Sequence, residues 1–201
     1  MYFLRKAAKN LVKDLLLRPP RGVQAGAGSY IYRPRRIDGA RFIEIGERST
    51  IQRYGWIGAF ESYANVTYRP RIRIGKDVHI GRYACLTAIS RIEIEDGCLI
   101  SEHVYISDHA HGVEPDKGLI VDQPLVAKGP VRIGANSFIG YRACVLPGVV
   151  LGQNCVVGAG AVVTHSFPGF SVIAGVPARL IRTNARSSEE VGVLGEVSTR
   201  D

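Results

Sequence analysis

The sequence predicts an all-β protein wound as a parallel β-helix, on three observations. From Ile133 an aliphatic residue recurs every six positions, at Ile133, Ile139, Val145, Leu151, Val157 and Val163. The same phase runs upstream in three blocks: Ile45, Ile51 and Ile57, then Ile74, Ile80 and Leu86, then Ile94, Ile100 and Ile106. The fifth residue of each hexad is small, as at Ser49, Gly55, Val78, Ala84, Ser90, Cys98, Val104, Ser137, Ala143, Val149, Cys155 and Ala161, with Glu61 the one misfit. Such a hexad supplies one short strand and a corner, three hexads close a triangular coil, and the two inward positions fill a narrow core. The separate strands of a sandwich have no reason to hold one phase across 36 residues.

Residues 1–36 read as an amphipathic helix and a basic linker. Leu4, Ala8, Leu11, Val12, Leu15 and Leu16 fall at helical spacing, Arg5, Lys9 and Lys13 step along another face, and Pro19 and Pro20 end the run. Its charges break the apolar run too early for a secretory signal or a spanning helix, and no small-residue cleavage site follows. Two placements fit it: a cap on the open end of the solenoid, or a peripheral contact with an anionic membrane surface.

Residues 37–186 carry the repeat. Gly46, Gly58, Gly75, Gly81, Gly134, Gly140, Gly152 and Gly158 all stand second in their hexads, which suggests corners whose backbone angles other residues avoid. Cys85, Cys98, Cys144 and Cys155 lie within hexads rather than in CxxC pairs and read as reduced core thiols, which favours the cytoplasm. The formal charge is +8, and residues 1–100 hold 18 Lys and Arg against 9 Asp and Glu. That half suits phosphorylated sugar lipid, acidic polysaccharide or the inner face of a membrane; no nucleic-acid motif accompanies it. Residues 187–201 are polar, lack the repeat and read as a flexible tail.

The spacing from Ile106 to Ile133 is 27 residues, one coil of 18 plus nine, so a segment is looped out there. It begins with His109 and His111 beside Asp108. Imidazole is the natural general base for a hydroxyl or amine near neutral pH, and a loop on a rigid scaffold is where chemistry concentrates. Asp108 suits orienting an imidazole or capping the turn. A third histidine on a matching rung is not evident, so no metal is expected.

The chain resembles the hexapeptide-repeat acyltransferases, and within them the maltose, galactoside and polysaccharide-biosynthesis sugar O-acetyltransferases. The resemblance spans about residues 40–185 and is most specific in VGAGAVVTHSFPGFSVIAGVPARLIR, Val157 to Arg182. It implies a left-handed coil, a homotrimer, and transfer of an acetyl group from acetyl-CoA to a sugar or glycan hydroxyl without an acyl-enzyme. Aligned on HVYISDHAHG it places the general base at His111, with His109 as competitor; relatives carry proline where Gly112 stands. It also implies that Phe138 and Tyr141 line the pantetheine groove, that amides around Ala159 and Ala161 hold its peptide-like groups, and that Thr164, His165, Arg179 and Arg182 surround the nucleotide end. Lysine is common where His165 stands. The acceptor is left open, with Tyr54, Trp56, Phe60, Tyr63 and Tyr68 as candidates to stack on a sugar. An acyltransferase for an amino sugar, amino acid or antibiotic, or a non-catalytic trimeric scaffold, are the rivals.

Overall fold

The structure, a computed structural model, describes Leu17 and residues 19–184. The expected N-terminal helix and the tail at 187–201 lie outside the described residues. Within them the chain winds through three sheets, and each turn of the coil adds one strand to each. The first face stacks Gln24–Ala25, Ile43–Ile45, Arg71–Ile74, Arg91–Ile94, Val131–Ile133 and Val150–Leu151. The second stacks Tyr30–Ile31, Thr50–Ile51, His79–Ile80, Leu99–Ile100, Phe138–Ile139, Val156–Val157 and Ser171–Gly175, and is closed by the antiparallel strand Ala178–Thr183. The third stacks Arg36–Asp38, Trp56–Ala59, Cys85–Ala88, Tyr105–Ser107, Cys144–Val145 and Val162–Val163. A first coil therefore begins at Gln24, ahead of the residues in which the repeat is conspicuous.

Register explains the repeat. Ile45, Ile74, Ile94, Ile133 and Leu151 pair in turn down the first face, so each aliphatic position sits above its counterpart one coil away. Ile74, Ile94, Ile133 and Leu151 and the small positions Ser49, Ala84, Cys98, Ala143, Cys155 and Ala161 are at most 2% exposed. The coil is thus a parallel stack whose interior is a column of branched side chains, and corner amides bond to the next coil, as Gly140 N to Val157 O at 2.8 Å.

The glycines have a different cause from the one their position suggested. The left-handed corner residues are Arg48, Tyr54, Asp77, Tyr83, His103, Asn136, Arg142 and Asn154, with φ between 54° and 65°. The second-position glycines, Gly58 against the Phe60 ring excepted, instead lie where consecutive coils touch: a Cβ on Gly81 would meet Ser101 C at 2.6 Å, and one on Gly140 would meet Ala159 N and Val157 O at 2.6 Å. Close approach, rather than φ, excludes a side chain there.

Two segments leave the coil where one was expected. The segment after Ser107 forms the antiparallel hairpin His109–His111 with Leu125–Ala127, capped by short 3-10 turns at Pro115–Lys117 and Ile120–Asp122. A shorter hairpin, Ser62–Tyr63 with Val66–Thr67, projects from the corner after Ala59, and the misfit Glu61 stands exposed at its base. Two tyrosines couple these excursions: Tyr63 Oη donates to Val121 O at 2.7 Å, and Tyr68 Oη donates to Leu125 O and accepts from Leu125 N at 2.9 Å.

Candidate active site

The third face and the two hairpins enclose a cleft of about 400 Å³ whose walls are mostly apolar. Trp56, Cys85 and Tyr105 rise from consecutive rungs of the face, Phe60 from the corner that follows Ala59, Tyr63 from the short hairpin, and His109, Ala110, His111 and Leu125 from the long one. The first face differs: it carries a ladder of surface ion pairs, Arg71 with Glu44 at 2.9 Å, Arg91 with Glu93 at 3.5 Å and Arg132 with Glu95.

Asp108 explains how the long hairpin is anchored. Its carboxylate is fully buried and collects four donors: Ile89 N at 3.0 Å, Ser90 N at 2.8 Å, Arg91 N at 2.6 Å and His109 Nδ1 at 2.9 Å. Eight residues separate Leu86 from Ile94 where six would continue the repeat, and the longer corner presents those three amides. A buried carboxylate is tolerable when every lone-pair direction is used, as here. A carboxylate oxygen that takes a ring nitrogen as partner accepts its proton, so Nδ1 of His109 donates, and in the neutral ring Nε2 is the nitrogen with the lone pair. The His109 side chain is 10% exposed and its ring meets Phe60 edge-on at 5.9 Å. His111 is exposed, and its ring lies 5.3 Å from Tyr63 at 72°.

Of the five aromatic candidates, Trp56, Phe60 and Tyr63 meet in the cleft, while Tyr68 serves the hairpin backbone. Tyr54 belongs elsewhere, stacked on Tyr83 at 5.0 Å, with His103 stacked on Tyr83 in turn at 4.7 Å along one corner of the solenoid. Cys98 and Cys155 are core thiols, but Cys85 and Cys144 are only partly buried, and Cys85 faces the cleft. Burial pushes the Cys85 thiol up to about 11, with the nearby Arg35 charge opposing.

The residues expected to hold a coenzyme divide between two corners that flank the third face. Tyr141 and Ala159 share one corner on successive coils, linked by Gly160 N to Tyr141 O at 2.8 Å. Phe138 is exposed on the adjoining second face, and Arg179 and Arg182 are exposed on its closing strand. Ala161 is fully buried, and its amide bonds to Gly158 O at 3.3 Å, whereas the amide of Ala159 has no partner among the described residues. Thr164 and His165 stand at the opposite corner, the one from which the long hairpin leaves, and contact each other at 3.2 Å. One chain does not gather these eight positions on a single surface. Among the described residues no group of three His, Cys, Asp or Glu could hold a metal ion.

Residues 130–165 match the family described as the hexapeptide repeat of succinyl-transferase. A probable acetyltransferase of Mycobacterium tuberculosis is 30% identical over 154 residues, 77% of this chain and 46% of that protein. Along its coil the chain is similar to hexapeptide-repeat acyltransferases. A putative lipopolysaccharide biosynthesis O-acetyl transferase of Escherichia coli, WbbJ, is 35% identical over 112 residues, 53% of this chain and 57% of that one. The chain thus spans about half the length of these curated relatives. Among solved structures, AntD, an N-acyltransferase from Bacillus cereus in complex with dTDP and 3-hydroxybutyryl-CoA, superposes with a TM-score of 0.69 at 21% identity, covering 89% of each chain. That likeness establishes a shared fold.

Proposed function

We propose that this hexapeptide-repeat protein is an acetyl-CoA-dependent O-acetyltransferase acting on a sugar or glycan precursor, wound left-handed like the acyltransferases it resembles and working as a homotrimer. The observation that carries the reading is the apolar cleft into which both loop imidazoles open. Water-poor walls strengthen proton transfer and oxyanion stabilisation inside them, and aromatic faces suit a sugar ring. His111, at the exposed rim, takes the proton from the acceptor hydroxyl as its oxygen attacks the thioester carbonyl carbon; the tetrahedral adduct collapses, and the imidazolium returns the proton to the departing CoA sulfur. The acceptor oxygen attacks directly, because a thiol with a pKa of about 11 is protonated near neutrality and Cys85 is a poor rival nucleophile. The division of the coenzyme residues between two corners agrees with a groove that a neighbouring subunit completes. No described helix is long and apolar enough to cross a membrane.

A second reading makes His109 the base, favoured by its contact with Asp108, which fixes the tautomer with Nε2 ready to accept. Steady-state CoA release by the two single variants separates them. His111→Ala is expected to lower kcat by about 10²- to 10⁴-fold with the melting temperature unchanged. A variant of His111 at full activity, with His109→Ala inert, moves the base to His109; full activity in both removes the loop histidines as the base, and no CoA binding by the wild type refutes the enzyme in favour of a scaffold.

A further inference from the structure

The histidine-bearing hairpin occupies one end of the cleft, and its other end is built differently. Strand registers place Arg36, Trp56, Cys85 and Tyr105 in one outward column of the third face, each paired to the next. Three rungs therefore separate Arg36 from the rung of Tyr105, about 14 Å at the usual strand spacing. Asp38 fixes both members of the far rungs: its Oδ1 accepts Arg36 Nε at 2.9 Å, and its Oδ2, 2.8 Å from the same nitrogen, accepts Trp56 Nε1 at 2.8 Å. The guanidinium carbon lies 5.5 Å from the centre of the indole. The terminal nitrogens of Arg36 have no partner among the described residues, and the side chain is 62% exposed. Arg35 adds charge on the same side, since its field reaches the thiol of Cys85.

We propose that Arg36, held by Asp38 beside the Trp56 ring, is an anion subsite for the acceptor, so that the molecule acylated is a glycan carrying a carboxylate or phosphate about two to three rungs from the reacting hydroxyl. This rests on reading the cleft as the acceptor site. A planar guanidinium with two free nitrogens pairs bidentately with either anion, and the indole face beside it accepts the apolar side of a sugar ring. The rung distance excludes a lone neutral monosaccharide as the ligand that fills the cleft. Asp38 holds Arg36 through Nε alone, so the fork is oriented without being consumed.

Trp56 is the only tryptophan in the chain, so its fluorescence reports on this subsite whether or not catalysis occurs. The full chain is titrated with glucose 1-phosphate, glucuronate, methyl glucoside and inorganic phosphate, and CoA release is followed in parallel with maltose 1-phosphate and cellobiouronate, which are long enough to carry a hydroxyl about two rungs from their anion. At least one anionic sugar is expected to bind tenfold or more tighter than methyl glucoside, and the two anionic arms tell phosphate from carboxylate. Arg36→Gln is expected to weaken that binding about ten- to hundredfold and to raise KM with kcat kept, whereas Arg36→Lys retains the charge and most of the preference. Equal binding of charged and neutral sugars, or an anion preference that survives Arg36→Gln, overturns the subsite and leaves acyl transfer standing if CoA is still released. Inorganic phosphate binding as tightly as glucose 1-phosphate also overturns it, because Trp56 would then contribute nothing. Anionic-sugar binding lost in Arg36→Gln, with no CoA release in any arm, keeps the subsite and refutes the acyl transfer.

Discussion

The coils from Val131 to Val163 and the coil interrupted after Ser107 are built from the same hexads, yet they do opposite work. In the former corner amides such as Gly134 N and Gly140 N close on the next coil, and few groups, the Ala159 amide among them, are left open. In the latter the chain spends extra residues on a hairpin, and a buried aspartate gathers the amides of the preceding coil to hold it. Regularity supplies rigidity, and the departure from it supplies the site, which is why the two regions should respond differently to substitution.

The largest contrast is expected for glycines. In Gly140→Val the Cβ alone would meet two backbone atoms at 2.6 Å, and nothing near it is a flexible side-chain tip. Separating the coils there should cost about 3 kcal/mol or more, enough to abolish the cooperative melt of a marginal chain. Gly118, at the crown of the long hairpin, has open space around it, and its φ of 80° is the only obstacle to a side chain. Gly118→Ala should cost about 1 to 3 kcal/mol, since φ 80° with ψ −154° is a conformation that glycine alone enters readily. Comparable losses in the two variants, measured by urea melts, would break the distinction between packed coil and free loop.

Asp108 joins the two regions, so its removal should cost both stability and activity. An asparagine amide offers one oxygen to donors that now converge on two, leaving either Ile89 N and His109, or Ser90 N and Arg91 N, facing an N–H group. Asp108→Asn is expected to lose about 2 to 4 kcal/mol. It should also alter the pH profile of CoA release if His109 is the base, and only its amplitude if His111 is. A variant as stable as the wild type would mean that the hairpin is held by its tyrosine contacts instead.

These differences set what could be read from the sequence. Periodicity is a local property, so the aliphatic and small positions announced the coil, and the 27-residue step from Ile106 to Ile133 announced the long hairpin. The short hairpin hid because 17 residues separate Ile57 from Ile74, nearly one ordinary coil. The first coil hid because Ala25 is too small to mark an aliphatic position. The partners of Asp108 lie 17 to 19 residues back, one coil away, and nothing local in the chain points to them. Position also misled for the glycines, whose spacing was evident but whose cause, contact between coils, exists only after winding.

A smaller effect is expected at Cys85, which shares the cleft with the imidazoles yet belongs to the coil. With its thiol near 11, alkylation by iodoacetamide should be slow at pH 7 and accelerate about tenfold per pH unit toward pH 10. Cys85→Ser should keep CoA release within about threefold of wild type, since sulfur and hydroxyl differ little in volume and neither is charged. Fast labelling at pH 7, or an inert serine variant, would return the thiol to the list of nucleophiles.

The smallest effect belongs to the surface of the regular coils. Arg48 and Asp77 join adjacent coils through two hydrogen bonds of 2.7 Å, and that guanidinium holds the Asp77 carboxyl below its ordinary range. A carboxylate whose folded pKa is depressed contributes stability above its unfolded value, near 3.9, and loses that contribution as pH falls through the folded value. Both side chains are more than half exposed, so solvent and salt screen the pair. Asp77→Asn should therefore leave the melting temperature at pH 7 almost unchanged, shift it still less in 1 M salt, and flatten only the acid limb below about pH 4. A large loss at pH 7 would mean that exposed corners, and not the interior column of isoleucines, hold consecutive coils together, and the contrast between scaffold and site would have to be redrawn around them.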